Sequence, residues 1–254
     1  MQHIFCELPV PYKGIIGHRG AAGLAPENTF RSFQKAAALG LNWIEFDVQR
    51  CASGEWVLLH DETLERTTNG HGFVVDTHYQ TLKTLDAGAW FNPPYYGEKI
   101  PLLTETLSYL KQRNLQPNIE LKGLSNHKKK EQIIDFLSKH RPYWANATPP
   151  LISSFDIECL IMLRQLDPTL PLGYLIEADV DTGVKMVQRY QFNSLHCSYE
   201  AVKDPVMLNR IVQEVPLLIY TVNQPQVIRH LLQAGVTAVF SDLTNNIPQF
   251  LPEN

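Results

Sequence analysis

Glu45 and Asp47 lie two residues apart in the stretch Trp43–Asp61, whose two apolar arms flank Ser53-Gly54. Strand side chains alternate, so the two acids share one face. Both arms are rich in strand formers, and the glycine-centred gap suits a hairpin. Folded about residues 52 and 53, the ribbon sets Leu58 opposite Asp47 and His60 opposite Glu45. Two carboxylates and an imidazole then converge inside an otherwise apolar segment. Like charges brought together at low dielectric are costly unless a cation or hydrogen-bond donors compensate. A strand edge with both acids in water is one reading of this stretch; a metal site is the other.

Further along, Glu120 and Lys122 repeat the spacing, so they too share a face. Glu45, Asp47 and Glu120 are hard oxygen donors, which suit Mg2+ or Ca2+, with Mn2+ also acceptable. Arg19 and Lys122 would bring positive charge suited to a phosphate. His18 and His60 are candidates for proton transfer near neutral pH. A cation, two basic side chains and two histidines are the parts of a phosphodiester-cleaving site. Ser153, Ser154 and His196 read more simply as strand-end polarity, Asp242 as a cap for the last helix, and Tyr220 as core or pocket wall. Neither a Gly-x-Ser-x-Gly elbow nor a glycine-rich phosphate loop with Lys-Ser/Thr occurs.

These residues need a scaffold that brings distant strand ends together. Gly14–Gly17 reads as a buried strand running into His18-Arg19-Gly20. Helix Phe30–Leu39 follows, capped by Asn28 or Thr29 and ended by Gly40. Trp56–His60 is the returning antiparallel arm of the second strand's ribbon, because its gap is too short for a parallel crossover. Asp61–Ile100 breaks the rhythm with turns and aromatics and reads as an insertion, with a short helix within Thr77–Leu85. Helix Leu102–Arg113, opened by Thr104, leads back to strand Asn118–Leu121. Strands near 151, 172, 194, 217 and 238 then alternate with helices, ending in a short helix near Ile247–Leu251. The pattern predicts a (β/α)8 TIM barrel of residues 1–254 as one domain, with a small insertion at 61–100 after the second strand ribbon. In such barrels chemistry sits at the carboxyl ends of the strands, where all the residues above fall.

Composition agrees and excludes some classes. The chain has 254 residues, 44% of them hydrophobic, and a net charge of −4, which argues against a nucleic-acid partner. Its longest like-charge run, Lys128-Lys129-Lys130, reads as a solvated face. Four cysteines without a Cys-x-x-Cys pair, no leader pattern and no long apolar run point to a soluble protein in the reducing cytoplasm, with no membrane span.

Taken in order, His18-Arg19-Gly20, Pro26-Glu27-Asn28-Thr29, Glu45-x-Asp47, His60-Asp61 and Glu120-x-Lys122 resemble the signature blocks of glycerophosphodiester phosphodiesterases. The likeness continues through Leu64-Glu65-Arg66-Thr67-Thr68-Asn69-Gly70, Ser153-Ser154-Phe155, Tyr220-Thr221-Val222-Asn223 and Ser241-Asp242. It covers almost the whole chain and is most similar to the cytosolic bacterial form associated with glycerol-phosphate uptake. The resemblance implies Glu45, Asp47 and Glu120 as metal ligands, His18 and His60 as the acid–base pair, and Arg19 and Lys122 as phosphate contacts. It places Glu27 in a loop near metal and substrate, and matches 61–100 to the family's own insertion. Tyr220 departs from it, since many relatives carry Trp there, which puts the pocket wall and substrate preference in question. The implied reaction is metal-dependent conversion of small-molecule glycerophosphodiesters, such as glycerophosphocholine or glycerophosphoethanolamine, to glycerol 3-phosphate and an alcohol. In the implied scheme the cation acidifies the glycerol 2-hydroxyl, and a cyclic phosphate forms before water opens it. A barrel phosphodiesterase acting on lysophospholipids or sphingolipids, and a non-catalytic metal-binding barrel, are the alternatives.

Overall fold

Short runs of branched and aliphatic residues, apolar on both faces, pair in parallel because helices can then cover the sheet. The computed structural model describes residues 14–124, 127–145 and 147–242. Its strands are β1 (Gly14–Gly17), β2 (Trp43–Arg50), β3 (Trp56–Leu58), β4 (Gln116–Leu121), β5 (Leu151–Ser154), β6 (Leu172–Ile176), β7 (Ser194–Ser198), β8 (Leu217–Tyr220) and β9 (Ala238–Ser241). Their order is β1-β9-β8-β7-β6-β5-β4-β2-β3, and β1 also pairs with β2, which closes the sheet into a barrel. All pairs are parallel except β2–β3, so β3 is an antiparallel arm outside an eight-stranded TIM barrel.

Helices α1 (Phe30–Ala38), α3 (Leu103–Gln112), α4 (Lys129–His140), α5 (Ile157–Leu166), α6 (Val180–Tyr190), α7 (Pro205–Glu214) and α8 (Pro225–Gln233) surround the barrel, while α2 (Tyr79–Leu82) belongs to the insertion. Thr29 caps α1, its side chain accepting from Ser32 N. Helix α3 begins at Leu103 rather than being opened by Thr104; Glu105 reaches back to the Leu102 N–H at 3.4 Å. The helix expected near Ile247–Leu251 lies outside the described residues, as does Met1–Lys13.

Inside the barrel, Ile16, Trp43, Leu151, Leu218, Ala238 and Phe240 form one apolar cluster. Trp43 shares its face with Glu45 and Asp47, so this plug lies beneath the acids. A larger cluster, including Phe33, Phe46, Ile133, Phe136 and Leu160, fills the layer between sheet and helices. Lys129 does not join a solvated face. It is 5% exposed and pairs with Asp156 and Glu158, both at 2.7 Å.

The hairpin register differs by one residue from the expected one. Leu58 pairs with Val48 and Trp56 with Arg50, so Leu58 does not face Asp47. The loop spans residues 51–55, closed by Cys51 N to Glu55 O at 2.9 Å, with Gly54 at φ 94°. The five loop residues, with glycine in the left-handed region, centre the ribbon on Ser53 rather than between residues 52 and 53. A one-residue slip turns side chains to the other face, yet His60 still reaches the site because the ladder stops at Leu58. Beyond it, Gln49 Nε2 donates to the carbonyls of Leu59, His60 and Asp61 at 2.9, 3.2 and 2.6 Å. Gln49 continues the Glu45–Asp47 face and pins the chain that carries His60.

The insertion shares a small core with the β2–β3 ribbon, made of Cys51, Val57, Leu59, Leu64, Val74, Leu82, Ala87 and Ile100. The Asp86 carboxylate organises its turns by accepting the N–H groups of Gly88, Ala89 and Gly97. Tyr95 OH donates to Leu24 O at 3.0 Å and Arg31 pairs with Glu98 at 2.8 Å, tying the insertion to the β1–α1 segment.

Candidate active site

Adjacent parallel strands set Asp47 of β2 level with Glu120 of β4, and Glu45 level with Asn118. Each of Glu45, Asp47 and Glu120 offers an oxygen, all within 4.8 Å of one another. Glu45 and Asp47 are buried, and Glu45 Oε1 accepts no hydrogen bond. Buried carboxylate oxygens with unused lone pairs suit a hard divalent cation.

The same three acids have separate electrostatic fates. Burial, then Asp47 and Glu120, push the Glu45 pKa well above the usual carboxylate range. Burial and Asp47 push Glu120 up to about 7, against the pull of Lys122. Asp47 is equally buried, but Lys122, Arg19, His60 and an Asn28 hydrogen bond outweigh burial and hold its pKa low. Lys122 Nζ lies 3.1 Å from Asp47 and 3.2 Å from Glu120. Asn28 Nδ2 donates to Asp47 Oδ2 at 2.9 Å, and its Oδ1 accepts the Asp47 N–H at 3.2 Å.

A pH dependence follows. A carboxyl whose folded pKa lies above its unfolded value binds more protons when folded, so stability falls as pH rises through that interval. Burial lowers the pKa of His60, His140 and His196, which adds stability with rising pH, but only up to their ordinary value of 6.5. Above about pH 6.5 the raised carboxyls, with Glu120 at about 7, therefore dominate. Thermal melts in chelator are expected to show Tm falling as pH rises beyond that point, and excess Mg2+ should flatten the fall. A chelated Tm that rises there would contradict this electrostatic picture.

His18 follows β1 directly, and its N–H donates to Ser241 O at 2.8 Å. Its Nδ1 lies 2.7 Å from Asp242 Oδ1, and its Nε2 is 4.0 Å from Glu45. Asp242 is fixed in turn by Asn223, whose Nδ2 donates at 2.6 Å and whose Oδ1 accepts the Asp242 N–H at 2.9 Å. His60 repeats the arrangement, with Nδ1 2.6 Å from Asp61 Oδ1. Burial, helped by Arg19 and Lys122 against Asp47, lowers the His60 pKa. Arg19 has φ 50° and sends its N–H to Glu45 Oε2 at 2.9 Å and Nη1 to Glu27 Oε1 at 2.7 Å. Gly20, at φ 87°, packs its backbone against Ser32 and Phe33, leaving no room for a Cβ.

Asp61 and Asp242 were not singled out as histidine partners from sequence, nor Asn28 and Gln49 as supports. Asp61 follows His60 directly and gave a local signal; Asp242 is 224 positions from His18, and only barrel closure reveals that contact.

His18, Arg19, Glu45, His60, Glu120 and Lys122 border one cavity of about 620 Å³. Phe155 and Tyr220 form part of its wall, edge to face at 6.1 Å between centroids, with Tyr220 OH donating to Ile176 O at 2.7 Å. Tyr220 is thus a pocket-wall residue. His196 lies fully buried at the cavity's edge, its Nε2 2.9 Å from Ser194 Oγ. Ser153 accepts from Asn118 and also borders the cavity, while Ser154 donates to Leu121 O.

A closed parallel barrel with this chemistry at the carboxyl ends of its strands is a TIM-barrel enzyme. Comparison with known proteins specifies it further. The chain belongs to the glycerophosphoryl diester phosphodiesterase family, whose model matches residues 18–246. It is 35% identical over 246 residues to a glycerophosphodiester phosphodiesterase of Bacillus subtilis, covering 89% of this chain and 82% of that protein. A glycerophosphodiester phosphodiesterase of Caldanaerobacter subterraneus subsp. tengcongensis is 32% identical over 229 residues, covering 90% of this chain and 93% of that one. Among solved structures, an Oleispira antarctica phosphodiesterase in complex with the product sn-glycerol-3-phosphate aligns with a TM-score of 0.86 at 32% identity, over 93% of this chain and 95% of that one.

Proposed function

We propose that this enzyme hydrolyses glycerophosphodiesters, such as glycerophosphocholine and glycerophosphoethanolamine, to glycerol 3-phosphate and an alcohol. The observation that carries this reading is the pair of imidazoles, each bonded through Nδ1 to a carboxylate and each bordering the cavity that Glu45 and Glu120 also line. The product-bound structure of the 32% identical relative supports the substrate class.

Glu45, Asp47 and Glu120 would hold a divalent cation, Mg2+, Ca2+ or Mn2+. Bound there, it would supply positive charge to the phosphate and favour ionisation of a nearby hydroxyl. Arg19 and Lys122 add charge for the phosphate, and Glu27 orients Arg19. With its Nδ1–H donating to the Asp61 carboxylate, neutral His60 presents an unprotonated Nε2. It takes the proton of the glycerol 2-hydroxyl as that oxygen attacks phosphorus. His18, as imidazolium held by Asp242, protonates the departing alcohol oxygen. A cyclic phosphate results. The roles then reverse: His18 deprotonates the attacking water, and His60 returns its proton to the glycerol 2-oxygen as the ring opens. Tyr220 and Phe155 wall the cavity. Residues 1–254 act in this reading as one barrel domain with the 61–100 insertion.

We place the protein in the cytoplasm. Cys51, Cys159 and Cys197 are free and buried, as a reducing compartment allows, and no described helix is long and apolar enough to cross a membrane.

Glycerol 3-phosphate release from glycerophosphocholine tests the reading directly. Release with Mg2+, its loss in excess chelator and its return on adding metal back are expected. A folded sample that releases none with any divalent metal would refute it, and choline release from lysophosphatidylcholine alone would favour a lysolipid enzyme.

A further inference from the structure

Arg66 stands in the insertion, on a run that matches the family's signature without an assigned role. The turn around it is closed by its own hydrogen bonds. Thr68 Oγ1 donates to Leu64 O at 2.6 Å and accepts the Gly70 N–H at 2.9 Å, while Leu64 is buried in the core that the insertion shares with the β2–β3 ribbon. The guanidinium makes four hydrogen bonds to two carboxylates. Nε and Nη2 donate to Asp61 Oδ2 and Oδ1 at 2.6 and 2.9 Å, and Nη1 and Nη2 donate to Glu27 Oε2 and Oε1 at 2.8 Å each.

Those two carboxylates face the site on their other sides. Asp61 holds His60 Nδ1 at 2.6 Å, and Glu27 holds Arg19 Nη1 at 2.7 Å. Side by side, Asp61 and Glu27 would repel each other. A planar fork that bonds both in pairs removes the repulsion and sets their spacing; a lysine's single ammonium would ease the repulsion without setting the spacing. The Arg66 hydrogen bonds, aided by His60 and opposed by burial, hold the Asp61 pKa at about 2, so Asp61 stays ionised toward His60.

We propose that Arg66 is a positioning residue for the hydrolysis: it clamps Asp61 against His60 and Glu27 against Arg19. The insertion thereby sets the distance between a proton-transfer group and a phosphate-facing cation. This inference rests on the function proposed above.

The test compares wild type, Arg66→Ala, Arg66→Lys, Asp61→Asn and the Asp61→Asn/Arg66→Ala double variant, all on glycerophosphocholine with Mg2+. In Arg66→Ala, kcat should fall about 10- to 100-fold, the scale on which lost outer-shell partners act. Arg66→Lys should recover part of that loss. Because the Arg66 side chain is 43% exposed, added guanidinium should partly restore kcat in Arg66→Ala, whereas equal KCl should not. The double variant should fall short of the product of the single losses, since Arg66 acts partly through Asp61. An Arg66→Ala enzyme with wild-type kcat overturns the proposal. So does a loss that neither lysine nor guanidinium repairs, or one that multiplies fully with Asp61→Asn. A wild type without turnover overturns the functional reading itself, which separates that failure from failure of Arg66 alone.

Discussion

Replacing His18 or His60 by alanine is expected to lower kcat for glycerophosphocholine by about 10²- to 10⁴-fold, the range of a lost general acid or base. The two losses should separate by leaving group. His18, as the acid of the first step, protonates the departing alcohol, so its loss matters most when that alcohol is a poor leaving group. The p-nitrophenyl ester of glycerol 3-phosphate needs no such help. Nitrophenol release by His18→Ala should therefore recover much of the lost rate, while His60→Ala should stay slow, because the attacking hydroxyl still needs a base. The opposite pattern would exchange the two assignments. Near-normal turnover of glycerophosphocholine by either variant would sink the two-histidine scheme. Thermal melts provide the control, since both imidazoles are only partly buried, at 19% and 32% exposure, and their loss should cost little stability.

Within the acidic cluster, Asp47→Asn and Glu45→Gln should change stability in opposite directions. Asp47 is the cluster's ionised member, lying 3.1 Å from Lys122 and 3.4 Å from Arg19. Removing its charge leaves two largely buried cations under-compensated. Breaking such a buried pair costs about 3–5 kcal/mol. In a chain of this size that corresponds to a Tm decrease of roughly 6–20 °C. Glu45 is different. Burial, Asp47 and Glu120 raise its pKa and so favour, without metal, its protonated form, which is close in shape and charge to glutamine. Glu45→Gln should leave Tm in chelator equal or higher. Both variants should lose Mg2+-dependent turnover and the rise in Tm that Mg2+ produces in wild type. Differential scanning fluorimetry with chelator and with Mg2+ reads all of this. Equal destabilisation by the two substitutions would show that the acids are not divided into one ionised and one protonated member.

Much of this was legible in the chain before any tertiary information. Alternating strand and helix segments specify the barrel, because strands apolar on both faces must be covered by helices. The period of two along a strand places Glu45 with Asp47 and Glu120 with Lys122, and strand ends in a barrel converge on one rim. Local physics is enough for those conclusions. It was not enough for the hairpin register, where a five-residue loop with Gly54 in the left-handed region shifts the pairing by one residue. Nor did it place Lys129, which a like-charge run suggested was solvated and which Asp156 and Glu158 draw inward.

The second layer of the site depended on closure of the barrel and docking of the insertion. Asp242 reaches His18 because the last strand pairs with the first. Arg66 reaches Glu27 across 39 positions because the insertion folds over the β1–α1 segment. The division of three similar carboxyls into raised and lowered pKa values also comes from this level. Which acid meets Arg19, Lys122 and Asn28 is a matter of through-space geometry. Residue type and strand period therefore determine which groups can do the chemistry; long-range packing determines the charge each carries and the direction each imidazole faces.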